Sequence, residues 1–135
     1  MKKTFATLAL LLTATTATAA DYQEVVAFNG TAQNIISNAN KAFGGVTTKS
    51  VVGDTLTVAT KIDCNKGWLG KITMYGDIII EAKQDRFRIT FDDMKADTGY
   101  SLKELPQNKE ACEASFKKVT QTVTSKMSSF GNDNW

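Results

Sequence analysis

The spacing of hydrophobic and polar positions changes several times along the chain, and each change predicts an element. Tyr22 to Phe28 reads YQEVVAF, a short first strand broken by Asn29 and Gly30. Ala32, Ile35, Ile36, Ala39, Ala42 and Phe43 then recur at the spacing of one helix face. Thr31 stands where its hydroxyl can accept an orphan backbone N–H, and Gly44-Gly45 follows where a chain leaves a helix. The β-branched runs on either side of Gly53-Asp54 predict a hairpin, with Val52 opposite Thr55 and Val51 opposite Leu56. Leu56, Val58, Thr60 and Ile62 alternate with polar neighbours, as a strand with one buried face requires. Trp68 is expected to open the next strand or to close the preceding loop over the core.

From Leu69 to Ala82 the pattern fits two strands, if Gly76-Asp77 turns tightly as Gly53-Asp54 does, and better fits one long strand with a kink at Gly76. Ile72, Met74, Ile78, Ile80 and Ala82 then share a face. A tight turn centred on Gln84 and Asp85 sets Ala82 opposite Phe87, Ile80 opposite Ile89 and Ile78 opposite Phe91, all pointing one way. Glu81 and Arg88 then meet on the opposite face as a cross-strand charge pair. A slip of one residue would break both patterns. Residues 95–107 read as a connection. Asn108 is expected to cap a second helix whose packed face carries Cys112, Phe116, Val119, Val123, Met127 and Phe130. The order β-α-β-β-β-β-α predicts an α+β two-layer sandwich. Its antiparallel sheet has about five strands, two helices cover one face, and the other face is left open.

The element order, the N-terminal segment and the run Lys83 to Arg88 (KQDRFR, after GDIIIEA) resemble a bacterial family of exported proteins and lipoproteins of unknown function with a TBP-like fold. That family typically shows an Ile/Glu-rich strand followed by Lys-Asp-Gly-Arg-Tyr-Arg. Here Gln84-Asp85 stands for Asp-Gly and Phe87 for the tyrosine, and the lipid-anchor cysteine is absent. The motif-level match covers residues 78–92. It implies a fold and an export route; it brings no catalytic residue and no cofactor.

The ends and the composition narrow the picture further. Residues 1–20 read as a cleaved signal peptide: Lys2 and Lys3, a short apolar run from Phe5 to Leu12, then small residues at Ala17, Ala19 and Ala20. The apolar run is too short to span a bilayer, so no membrane span is expected after cleavage. A single domain is expected over 21–130, with 131–135 as a C-terminal tail and a periplasmic or secreted location. Setting aside Lys2 and Lys3 leaves 14 of the 16 basic residues, equal to the 14 acidic ones. That balance removes support for binding to nucleic acid. Cys64 and Cys112 predict a disulfide in an oxidising compartment.

The chain has no histidine, which removes the usual general base and the histidine-dependent triads and metal sites. Asp77, Asp92, Asp93 and Asp97 read as a solvated strand end, without the ligand series of a calcium loop. The first reading is therefore a non-enzymatic exported binding module without a cofactor. Strand parity nominates Lys49, Lys61, Lys71, Tyr75, Ile79, Arg86 and Arg88 as an open, basic-biased sheet face, fit for an acidic protein, glycan or lipid surface. One alternative is a small hydrophobic-ligand carrier, with Met74, Phe87, Phe91, Phe116 and Met127 lining a cavity between the layers. Another is an inhibitor of an exported enzyme, acting through Asn65–Trp68 or Ala96–Leu105.

Overall fold

Alternation in the strands and a helical stripe in the helices each produce one apolar face, and those faces can only leave water by meeting. In the computed structural model they do so over residues 20–132, with side chains described to Phe130. The chain forms β1 (Tyr22–Ala27), α1 (Ala32–Ala42), β2 (Lys49–Val52), β3 (Thr55–Asn65), β4 (Lys71–Lys83), β5 (Arg86–Ala96) and α2 (Lys109–Asn132). The sheet is five-stranded with order β1-β5-β4-β3-β2, and every pairing is antiparallel. The signal-peptide reading falls outside the described residues, Ala20 apart. α2 continues to Asn132, into the segment expected as a tail, and 133–135 lie outside the described residues.

The β4–β5 hairpin has the register its pattern predicts: Ala82 opposite Phe87, Ile80 opposite Ile89, Ile78 opposite Phe91 and Glu81 opposite Arg88. All six apolar partners are buried against the helices. The turn takes Asp85 to a φ of 63°. It is held to the segment after β1, where Asp85 N donates to Gly30 O at 2.8 Å and Gly30 N donates to Asp85 Oδ1 at 3.0 Å.

β4 keeps a single parity throughout, as predicted, but the irregularity lies across from Gly76. Tyr75 pairs with Lys95 and Asp77 with Asp92, so Asp93 and Met94 together oppose the one glycine. The extra residue is in β5, and Asp93 absorbs it at a φ of 55°. The bulge flips the parity of β5, which puts Met94 and Ala96 into the core after Phe91 and carries the strand past the expected start of the connection.

Thr31 caps α1, its hydroxyl accepting from Asn34 N at 3.1 Å. Ile35, Ile36 and Ala39 press onto the sheet. α2 buries Cys112, Phe116, Val123 and Met127. Phe116 stacks on Phe91 at a centroid distance of 4.7 Å. Asn108 is not the cap expected of it: a 3₁₀ turn (Pro106–Asn108) runs straight into α2, and the buried Asn108 Oδ1 has no hydrogen-bond partner. The disulfide between Cys64 and Cys112 forms, joining the end of β3 to the first turn of α2.

Candidate functional site

The cross-strand register sorts the nominated residues. Lys49 is opposite Val58 and Val51 opposite Leu56, whose side chains are core, so both point to the helix side. The expectation that Lys49 faces away is therefore overturned. Its Nζ donates to Asn40 O and Phe43 O, each at 3.0 Å, where α1 exposes its last carbonyls. A lysine there meets carbonyls at the negative end of the helix dipole, Phe43 O also accepting from Val46 N at 3.0 Å.

Lys61, Lys71, Tyr75, Ile79, Arg86 and Arg88 do share the open face. Acids stand among them. Arg88 Nε and Nη2 donate to Glu81 Oε1 at 3.0 and 2.9 Å. Lys71 Nζ reaches Asp63 Oδ2 at 3.3 Å, and Thr73 Oγ1 donates to Asp63 Oδ1 at 2.6 Å. The Thr73 bond first, and then Lys71, hold the Asp63 carboxyl below its usual range. Asp77 and Asp92 oppose each other across the middle. The face is thus a mosaic. At one corner lies a shallow depression of about 360 Å³ where Lys83, Arg86 and Arg88 stand with Asp54 and Glu81 beside Val25.

A larger groove, of about 900 Å³, opens at the edge of the sheet. β2 is short: its first residue, Lys49, opposes Val58, and beyond it Ala59 N reaches Thr48 O at 3.0 Å. Past that point β3 has no neighbouring strand on this side, although it continues to Asn65. Backbone bonds alternate between the two sides of an antiparallel strand. Lys66 N donates to Gly70 O at 2.7 Å and Ala82 N to Asp54 O at 2.9 Å, which assigns the even-numbered positions of β3 to β4. The amides and carbonyls of Lys61, Asp63 and Asn65 therefore face the groove. Of these, Asp63 O accepts from Ser115 Oγ of α2 at 3.0 Å. Phe43, Val46, Ile62, Val119 and Val123 supply apolar wall, and the charged lining is Lys61, Asp63, Lys71, Lys118 and Lys126. Asp63 is paired with Lys71; Lys61, Lys118 and Lys126 form no salt bridge among the described residues.

Trp68 does not cover the core. It is 93% exposed and Leu69 62% exposed, at the tip of the β3–β4 connection. The signal was present in the symmetric run Lys66-Gly67-Trp68-Leu69-Gly70-Lys71, where glycines isolate the apolar pair from both strands. The residues nominated for a ligand cavity, Met74, Phe87, Phe91, Phe116 and Met127, are at most 1% exposed and pack as core.

Aspartates 21, 77, 92 and 93 line a hollow of about 410 Å³ with Met94, Ser101 and Lys103. Asp21 Oδ2 accepts from Met94 N at 2.9 Å, while burial pushes its carboxyl above the usual range. Among the described residues no three histidine, cysteine, aspartate or glutamate side chains are placed to hold a metal ion together. The Tyr22 hydroxyl donates to Glu24 at 2.8 Å; burial first, and then that carboxylate, push it up to about 12.

No protein-family description matches the chain, and no curated protein matches it. A solved structure of a TBP-like protein from Parabacteroides distasonis is similar at a TM-score of 0.58 and 13% identity, over 79% of this chain and 91% of that one. The chain has a TBP-like α+β fold, as its pattern and its resemblance predict. At this identity the likeness carries the fold alone.

Proposed function

We propose that the protein is an exported, non-enzymatic binding module that receives an extended acidic polypeptide segment alongside the free edge of β3. The observation that carries this reading is a coincidence in space. Backbone groups of Lys61, Asp63 and Asn65 face a groove with apolar walls, lined by Lys118 and Lys126 from α2 and by Lys61 from the open-face side of β3. None of these three lysines forms a salt bridge among the described residues. A strand added there would gain main-chain hydrogen bonds from the edge and side-chain selection from the walls. Acidic residues on it would meet the lysines, which favours this partner and rejects basic ones.

The open sheet face is the weaker candidate, because Arg88 and Lys71 already share their charge with Glu81 and Asp63. The absence of histidine from the sequence supports the non-enzymatic reading. Export is supported by the N-terminal pattern, by the resemblance to an exported family and by the disulfide. No described helix is long and apolar enough to cross a membrane.

The test uses a short alternating Glu/Val peptide, its Lys/Val counterpart and a backbone N-methylated Glu/Val version, titrated into the protein by calorimetry. The expected result is binding of the first alone, weakened at least about tenfold by Lys61→Glu with Lys118→Glu and Lys126→Glu, and weakened by salt. Equal binding of the Lys/Val or N-methylated peptide, or indifference to the lysine substitutions, would overturn the reading.

A further inference from the structure

The β3–β4 connection has a shape that core packing does not explain. Gly67 (φ 68°) and Gly70 (φ 91°) turn the chain out and back, and a side chain built on either would meet nothing within 4 Å. Between them a 3₁₀ turn presents Trp68 and Leu69 to solvent. The tip is held rather than loose. Asn65 Oδ1 accepts from Gly67 N at 2.8 Å, Lys66 N donates to Gly70 O at 2.7 Å, and Cys64 is disulfide-bonded to α2 just below. Lys66 and Lys71 flank the pair. Lys71 touches Asp63, but the contact is exposed and weak enough to yield to a stronger anion.

We propose that this tip docks the protein on an anionic phospholipid surface. Trp68 and Leu69 enter the interfacial layer, and Lys66 and Lys71 meet lipid phosphates. Tryptophan is suited to that layer, being apolar in body and polar at its N–H. Lysines flanking the apolar pair add attraction to negative lipid and none to neutral lipid. A protein partner fits the shape less well. A stable protein interface engages roughly 20–30 residues a side, whereas this tip offers an apolar pair with open space around both glycines. A bilayer asks for no more than a rigid apolar point with cations at its base. The proposal rests on Trp68 and Leu69, which do not line the groove at the β3 edge, although Lys71 borders both.

Vesicle sedimentation tests it, with phosphatidylcholine alone against phosphatidylcholine containing phosphatidylglycerol. All proteins carry the same N-terminus, and Trp135→Phe makes Trp68 the only reporter. The expected result is sedimentation with the anionic vesicles, a blue shift of Trp68 emission on binding, and at least about a tenfold loss in Trp68→Ser with Leu69→Ser. Lys66→Gln with Lys71→Gln should reduce the preference for phosphatidylglycerol. Circular dichroism checks that each variant keeps its fold, as such exposed positions allow. Equal sedimentation of the wild type and the Trp68/Leu69 variant, no emission shift, or equal binding to neutral vesicles would each overturn the proposal. So would a Trp68-dependent protein complex without vesicle binding.

Discussion

Gly76 is the residue on which the centre of the sheet turns. A Cβ there would come within 2.5 Å of Met94 Sδ, 2.8 Å of Asp92 O and 2.9 Å of Asp93 O. Met94 could swing away, but the two carbonyls belong to the bulge and cannot. Gly76→Ala is therefore expected to destabilise the protein by about 2–3 kcal/mol, read as a lower urea midpoint with an unchanged slope. The glycine was visible in the sequence as a break in an apolar strand. That it makes room for a bulge on the opposite strand was not, because the extra residue, Asp93, looks like any polar strand end. Asp21 makes a prediction in pH. Its folded pKa is raised above 3.8 by burial, so between 3.8 and the raised value the folded state holds the proton and the unfolded state does not. The stabilisation by protonated Asp21 is complete below 3.8 and is lost as pH rises through the folded value. Asp21→Asn should remove that dependence, and a stability–pH profile of the two proteins checks it. Equal slopes above pH 3.8 would contradict the prediction.

Among the elements, hairpins were the most legible. A tight turn and a period of two leave one register that buries every apolar residue of β4 and β5, and that register forms. The same logic applied to β2 would have placed Lys49 correctly, since pairing Val51 with Leu56 commits Lys49 to the helix side. Strand parity reckoned along the sheet, without the hairpin, missed it. The disulfide ties β3 to α2 across a separation of 48 residues. Chain entropy alone makes such a bridge worth about 4 kcal/mol at most. Cys64→Ser with Cys112→Ser is expected to lower the thermal midpoint by several degrees or more. Because Cys64 also anchors the base of the Trp68 tip, the same variant should show weaker vesicle binding than the wild type. A thermal midpoint unchanged by the substitution would show that packing alone holds the β3–α2 junction.

For the whole molecule, the arrangement that matters is the difference in length between neighbouring strands. β2 covers only the first part of β3, and helix α2 stands beyond the exposed part, so edge, apolar walls and lysines coincide in one groove. The sequence by itself determined the element order, the α+β class, the inner and outer faces of the central hairpin, and the one pairing open to Cys64 and Cys112. It could do so because period, turn chemistry and cysteine count are local properties that a chain of this length must honour to bury a core. Tertiary structure alone decided which strand edge stays open, where the bulge falls, that Lys49 serves a helix end, and that Trp68 stands in solvent. Each of these depends on which residue a distant segment brings opposite, and a side chain's local spacing carries no record of its partner across the sheet.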